Sequence, residues 1–285
     1  MSTLLTLGHG YSAQALARLL IPQGWQVIGT ARTPERADEL LATGVRPLIY
    51  PGDLGSALAR ASHILISAAP DMNGDIFLQS HRDQIVSAPA TWVGYLSTTA
   101  VYGDHQGAWV DEDTPCVPVA ERSHARLSAE QAWSECAADM AAELDILRLS
   151  GIYGPQRNAL ANLREGTARR IIKPGQVFNR IHVADIADAI AACVARGQPG
   201  RIYNVTDDEP APPQDVVEYA AKLLGVAPPP ERDFATTEMT PMARSFYGEN
   251  KRVSNKRIKS ELGFEFARPT YREGLQALLT QGEGR

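Results

Sequence analysis

The stretch Thr3-Leu4-Leu5-Thr6-Leu7-Gly8-His9-Gly10-Tyr11-Ser12-Ala13-Gln14-Ala15-Leu16 decides the fold. A short apolar run ends at Gly8, and a helical pattern opens at Tyr11 with Ala13, Leu16, Ala17 and Leu20 on one face, closed by Pro22 and Gly24. Between them lies G-x-G-x-x-A. The first glycine permits a tight turn, the second lets a pyrophosphate approach the backbone, and the small third residue lets helix and strand pack closely. The pyrophosphate would rest on the N–H groups of the helix start, at the positive end of its dipole. A glycine-rich turn without a ligand is the alternative; the strand before the loop and the helix after it argue against that.

The alternation continues along the chain. Trp25–Thr30 reads as a second strand, Pro34 opens a helix that stops at Gly44, and Val45–Tyr50 and His63–Ala68 are further strands with a short helix at Leu54–Arg60 between them. Ile76–Val86 is predicted as a helix, Thr91–Ser97 as the fifth strand, Ser123–Ala142 as a long helix and Leu144–Leu149 as the sixth strand. Beyond Gly154-Pro155 the rhythm changes. Val177–Val183 and Arg201–Val205 read as strands, Asp185–Arg196 as a helix with Asp185 as its N-cap, and Asn255–Leu262 and Tyr271–Leu279 as short helices. This predicts an α/β chain, a Rossmann-type doubly wound parallel sheet with a smaller C-terminal substrate lobe. The dinucleotide-binding domain is expected over 1–155 and 178–207, and the lobe over 156–177 and 208–285.

Composition narrows the function classes. The 285 residues carry 28 basic and 33 acidic side chains, a net charge of −5, so nothing marks a nucleic-acid surface. An apolar share of 44% argues against disorder. Cys116, Cys136 and Cys193 stand far apart, without metal-ligand spacing, so neither a disulfide framework nor a bound metal is expected. The beginning MSTLLTLGHGYS lacks the basic region of a signal peptide, and no apolar run reaches membrane-spanning length. A soluble, cytoplasmic protein with a small-molecule substrate and no nucleic-acid or membrane partner is the expectation.

The residues after the second strand bear on which dinucleotide would bind. An acidic side chain there would hold a ribose 2′-hydroxyl. Here the stretch is Gly29-Thr30-Ala31-Arg32-Thr33, and Arg32, helped by Arg36, could pair with a 2′-phosphate. NADP(H) is therefore expected over NAD(H); the alternative is that Arg32 is a solvated loop charge.

The chain resembles the extended short-chain dehydrogenase/reductases of the epimerase/dehydratase branch over nearly its whole length. Besides the glycine loop, the resemblance rests on Gly52-Asp53-Leu54, Ser67-Ala68-Ala69-Pro70, Ser97-Thr98-Thr99-Ala100-Val101-Tyr102-Gly103, Arg148-Leu149-Ser150-Gly151-Ile152-Tyr153-Gly154-Pro155, Ile181-His182-Val183-Ala184-Asp185 and Tyr203-Asn204-Val205. It implies a cofactor site at Gly8, Gly10, Tyr11, Ser12 and Ala13, with Asp53 and Leu54 near the adenine and Ser67, Ala68, Ala69 and Pro70 near the ribose. It also implies dimers built on Ser123–Ala142 and Ile76–Val86, with Trp133 as a possible anchor.

The resemblance breaks at the catalytic centre. The family places Tyr-x-x-x-Lys at the start of the long helix. Matching Ala129-Glu130 to the family's Ala-Glu puts Arg122 and Arg126 at those positions, and no tyrosine occurs between Tyr102 and Tyr153. An arginine stays protonated and cannot replace the phenol as an acid and base. The pair would instead position an anion, with Glu130 offsetting part of the charge of Arg126; the alternative is that both arginines are structural, with Arg126 bonding backbone or Glu130. A proton would have to come from Thr98 through water, from Tyr102 or from His182. Each has a purely structural alternative: a turn hydroxyl, core packing, and a strand-end histidine bonded to backbone. Three function classes stay open. They are an NADP-dependent oxidoreductase or epimerase acting on a small polar or anionic substrate, a non-catalytic NADP-binding sensor or regulator, and, less well matched because of Arg32, a nucleotide-sugar isomerase with resident NAD.

Overall fold

Apolar residues at 13, 16, 17 and 20 give the first helix a buried face, and Pro22 and the left-handed Gly24 (φ +85°) end it in one short turn. The same logic of buried stripe and specific terminus repeats through the computed structural model, which describes residues 2–196 and 200–283. Residues 1, 197–199 and 284–285 of the expected domain spans lie outside the described residues. The strands are β1 (Thr3–Leu7), β2 (Gln26–Ala31), β3 (Arg46–Ile49), β4 (His63–Ile66), β5 (Trp92–Thr98), β6 (Trp109–Val110), β7 (Glu143–Leu149), β8 (Gly151–Tyr153), β9 (Arg170–Ile172), β10 (Arg180–His182), β11 (Ile202–Val205), β12 (Glu231–Asp233) and β13 (Arg252–Val253). The helices are α1 (Tyr11–Leu20), α2 (Pro34–Ala42), α3 (Gly55–Leu58), α4 (Ile76–Val86), α5 (Glu121–Met140), α6 (Ala159–Arg164), α7 (Val183–Arg196), α8 (Pro213–Leu224), α9 (Pro241–Ser245), α10 (Lys256–Leu262) and α11 (Tyr271–Thr280).

Seven strands form one parallel sheet in the order β11-β7-β5-β4-β1-β2-β3, the doubly wound arrangement expected. Strand order reverses at β1, which pairs with β2 on one side and β4 on the other. In such sheets ligands bind outside the carboxyl ends of the strands at this reversal. The chain divides into two units: Met1–Val101, Glu121–Arg148 and Ile186–Tyr203; and Tyr102–Ala120, Leu149–Asp185 and Asn204–Arg285. The core of the first includes Leu5, Leu7, Ile64, Ile66, Phe77, Val93, Tyr95 and Trp133. The core of the second is built on Tyr153, Leu160, Val216, Tyr271, Leu275 and Leu278.

Several expectations need correction. The strand expected over Val177–Val183 is only Arg180–His182, and the short helix keeps one turn, Gly55–Leu58. Asp185 is not an N-cap: α7 begins at Val183, and the buried Asp185 carboxylate instead accepts from the Ala267 N–H (3.2 Å) and from Arg268 (3.1 Å). Trp133 cannot anchor a dimer, because its side chain is fully buried in the first core. Toward solvent, α4 and α5 present an ion pair, Arg82 with Asp139 at 2.5 Å.

A buried charge fixes α5 on the sheet. Glu130 Oε1 accepts from Arg148 Nε (3.1 Å) and Glu130 Oε2 from Arg148 Nη2 (2.8 Å), and both side chains are only 5% exposed. Ser97, on β5, donates its hydroxyl to the same carboxylate. Removing one partner leaves an uncompensated interior charge, so Glu130→Met should cost about 3–5 kcal/mol in denaturant unfolding. Glu130→Met with Arg148→Met should lose clearly less than the sum of the single losses; additive losses would contradict the coupling.

Candidate functional site

The nucleotide loop is shaped from below by backbone contacts. Gly8 has φ +89°, and a Cβ there would stand 2.5 Å from the Ala68 nitrogen, so only glycine fits where the ends of β1 and β4 meet. Its N–H donates to Thr30 Oγ1 at 2.7 Å, and the Ala68 N–H donates to the Leu7 carbonyl at 3.1 Å. His9 turns inward. Its Nδ1 meets Thr6 Oγ1 at 2.7 Å, and its ring covers Gly29, where a Cβ would come within 2.7 Å of it. Arg36 Nη2 reaches the His9 carbonyl at 3.4 Å while Nη1 pairs with Glu39 at 2.5 Å. Sequence reasoning missed Thr30 and the inward His9; only the position of Thr30 on the neighbouring strand hinted at its role.

Above this floor the loop is open. A Cβ on Gly10 would meet nothing within 4 Å, and no side chain caps the start of α1. Tyr11 is half-buried there, with Ser12 and Ala13 buried beneath it against the sheet. An uncapped helix start over an open glycine is a cradle for a diphosphate, and the residues present fit a dinucleotide. Arg32, one residue past β2, is exposed and makes no hydrogen bond or ion pair among the described residues. Asp53 is exposed and its carboxylate accepts from the Gly55 N–H (2.9 Å), while Leu54 is fully buried. Ser67, Ala68 and Pro70 are half-buried and Ala69 is exposed, directly after β4.

At the proposed catalytic positions the two arginines part company. Arg126 Nη1 donates to the Leu96 carbonyl (3.0 Å) and lies 3.3 Å from both the Ala68 carbonyl and the Tyr95 hydroxyl; the guanidinium sits over the Tyr95 ring. It therefore ties the carboxyl ends of β4 and β5. Its expected neighbour Glu130 is committed to Arg148 instead. Arg122, one turn earlier, is exposed. Thr98 ends β5 and accepts from the Ala100 N–H at 3.2 Å.

The other two candidates sit in the second unit and are engaged. Tyr102 is fully buried and donates its hydroxyl to Asn204 Oδ1 at 2.7 Å; Asn204 N–H in turn donates to Glu112 at 2.7 Å. His182 is buried, accepts from the Ala184 N–H at 3.2 Å, and lies edge-on to Tyr153. Burial, then the charge of Arg268, pushes its pKa down to about 4, which corrects the expectation of a group titrating near neutrality. Burial and then Arg36 push His9 down to about 4 as well. Among the described residues no group of three or more His, Cys, Asp or Glu side chains is placed to hold a metal. No helix among them is long and apolar enough to cross a membrane.

Comparison with known proteins bears on the family and the fold. Residues 83–206 match the family model described as the NAD dependent epimerase/dehydratase family. A conserved protein of unknown function from Silicibacter pomeroyi is 54% identical in sequence, with a TM-score of 0.92 over 99% of this chain and 100% of that one. Protein YeeZ of Escherichia coli K12 is 28% identical, over 94% of this chain and 97% of its own. UDP-glucuronic acid 4-epimerase from Bacillus cereus, solved with NAD, shares the fold at 18% identity, with a TM-score of 0.79 over 98% of this chain and 96% of that one.

The histidine environments set a pH dependence. Both folded pKa values lie below the ordinary 6.5, so the unfolded chain takes up protons first as pH falls. The stability these neutral rings contribute is complete above about 6.5 and is lost progressively toward about 4. Melting temperature should drop across that window, and His182→Asn should flatten the drop; an unchanged slope would remove the assignment.

Proposed function

The chain belongs to the NAD-dependent epimerase/dehydratase family, and on that premise we propose that it binds NADP(H) in preference to NAD(H) and acts as an oxidoreductase or epimerase on a small polar or anionic substrate. Arg32 carries this reading: among the described residues it has no partner, and residues 29–33 offer no carboxylate to a ribose 2′-hydroxyl. Gly8, Gly10 and the first turn of α1 would hold the diphosphate, Arg32 the 2′-phosphate, Asp53 and Leu54 the adenine side, and residues 67–70 the ribose side. The nicotinamide supplies a hydride donor or acceptor when bound.

The chain's own residues then do electrostatic work. Arg126 is held by one nitrogen on strand-end carbonyls, which leaves the rest of its fork to face an anion, and Arg122 adds a second positive charge one turn away. Thr98 is the hydroxyl that could pass a proton to or from water, its oxygen already oriented by the Ala100 N–H. A second reading, a protein that holds NADP without turning it over, is favoured by one observation. Tyr102 is buried and bonded to Asn204, and His182 is neutral at working pH, so two of the three candidate proton carriers are engaged elsewhere.

Calorimetric titration with both cofactors tests the cofactor assignment. A charge-assisted phosphate contact is worth about 1.5–3 kcal/mol, so NADP(H) should bind about tenfold or more tightly, and Arg32→Ala should erase the preference while sparing NAD(H). Equal or tighter NAD(H) binding sinks it. A change in cofactor absorbance on adding carboxylated carbonyl substrates separates the two readings. The same proposal keeps a homodimer through α4 and α5, now with Arg82 and Asp139 on its face; light scattering at the monomer mass at micromolar concentration would exclude it.

A further inference from the structure

The second unit contains a cavity of about 350 Å³ between β8, β10, α6, α8 and α11, and no step of the proposed chemistry uses it. One part of its wall is apolar, from Ile152, Pro213, Val216 and Leu275, the last two in the core of that unit; Gln156, Arg157, Asn158 and Asn162 line it as well. Two of its polar residues carry donors without acceptors. Tyr153 and Tyr271 both line the cavity, are 8% and 1% exposed, and have hydroxyls with no hydrogen-bond partner among the described residues. Most buried hydroxyls are paired, so two orphans in the walls of one cavity point to a missing acceptor. Gly274 belongs to the same arrangement. A Cβ there would stand 1.9 Å from the Tyr153 oxygen, so α11 approaches the hydroxyl as closely as only glycine allows.

Arg180 supplies the charge. Its Nη1 is fixed by the Phe178 carbonyl (2.9 Å) and the Ala211 carbonyl (3.1 Å), and its guanidinium lies 5.9 Å from the Tyr271 ring centre. Nη2 and Nε make no hydrogen bond among the described residues, which leaves one edge of a pre-set fork free. We propose that this cavity binds a small organic carboxylate with a short apolar body, the carboxylate on the free edge of Arg180 and on the Tyr153 and Tyr271 hydroxyls, the body against Ile152, Val216 and Leu275.

The surroundings agree in charge. Burial raises the pKa of both phenols, that of Tyr271 to about 12, so they stay protonated donors. Burial pushes Asp207 up to about 8 against the opposing charge of Arg180; Asp185 pairs with Arg268 and Glu209 with Arg272. Asp215 is also raised by burial. The Asn158 side chain is excluded as a ligand, because its oxygen caps α6 and its nitrogen donates to Gly154 and Glu283.

The test uses the full chain without any dinucleotide, so its failure leaves the cofactor assignment untouched. Hexanoate and benzoate, their uncharged amides and inorganic phosphate are titrated calorimetrically. The acids should bind and the amides should bind at least about tenfold more weakly. Tyr271→Phe and Tyr153→Phe should each reduce acid affinity by about tenfold without lowering the melting temperature, since each removes a buried hydroxyl that has no partner in the free protein. These variants avoid Arg180, whose loss would also free two backbone carbonyls. The proposal is overturned by any of four outcomes: no acid binding up to roughly 10 mM, amides as good as acids, phosphate binding where the acids do not, or phenylalanine variants that bind unchanged or melt several degrees lower.

Discussion

Glu130 and Arg148 meet in the interior, and much of the first unit depends on that meeting. A buried pair of this kind is weak evidence for net stability, because desolvation offsets most of the attraction. Its effect is on position. Glu130 rides on α5, Arg148 on β7, and the Ser97 hydroxyl of β5 joins them, so the helix can sit on the sheet in only one register without stranding a charge. One turn earlier, that register delivers Arg126 to the carbonyls at the ends of β4 and β5. Arg126 is thus partly a structural clamp.

The ends of β1 and β4 show the same economy. Gly8 and Ala68 touch so closely that no side chain fits, Thr30 takes the Gly8 N–H, and His9 is folded under the loop against Gly29. Polar groups beneath the loop face inward. What remains outward is the uncapped start of α1 and open space at Gly10, a surface already in the shape an anion needs before any ligand arrives.

The sequence made the large sheet legible because each of its strands is a run of apolar residues next to a helical period, and those patterns survive errors of a residue or two at the ends. It concealed β6, β8, β9, β12 and β13, which are two or three residues long and carry no period to read. The nucleotide loop was readable because its chemistry is local: glycines, strand and helix are consecutive. The fate of Glu130 was not, since it depends on Arg148, 18 residues away on another strand, rather than on Arg126 one turn away. His182 shows a third kind of failure. Its residue type suggested a titrating group near neutrality, but burial decides the pKa, and burial is a property of the assembled unit.

The smallest sheet carries a consequence for how the protein is made. Trp109 and Val110 pair with Arg252 and Val253, about half the chain away, and the unit they close draws on three separate stretches. On a ribosome the earlier strand emerges and waits, with its partner still unread in the message. Long-range pairing of this kind forms late, because the closing entropy must be overcome before any contact rewards it. During synthesis Val110 and the apolar residues of α6 and α8 are therefore candidates for chaperone capture, however well the first unit has folded. A stop codon just before position 252 would do more than trim the tail: it would leave open a unit whose first strand was translated at residue 109.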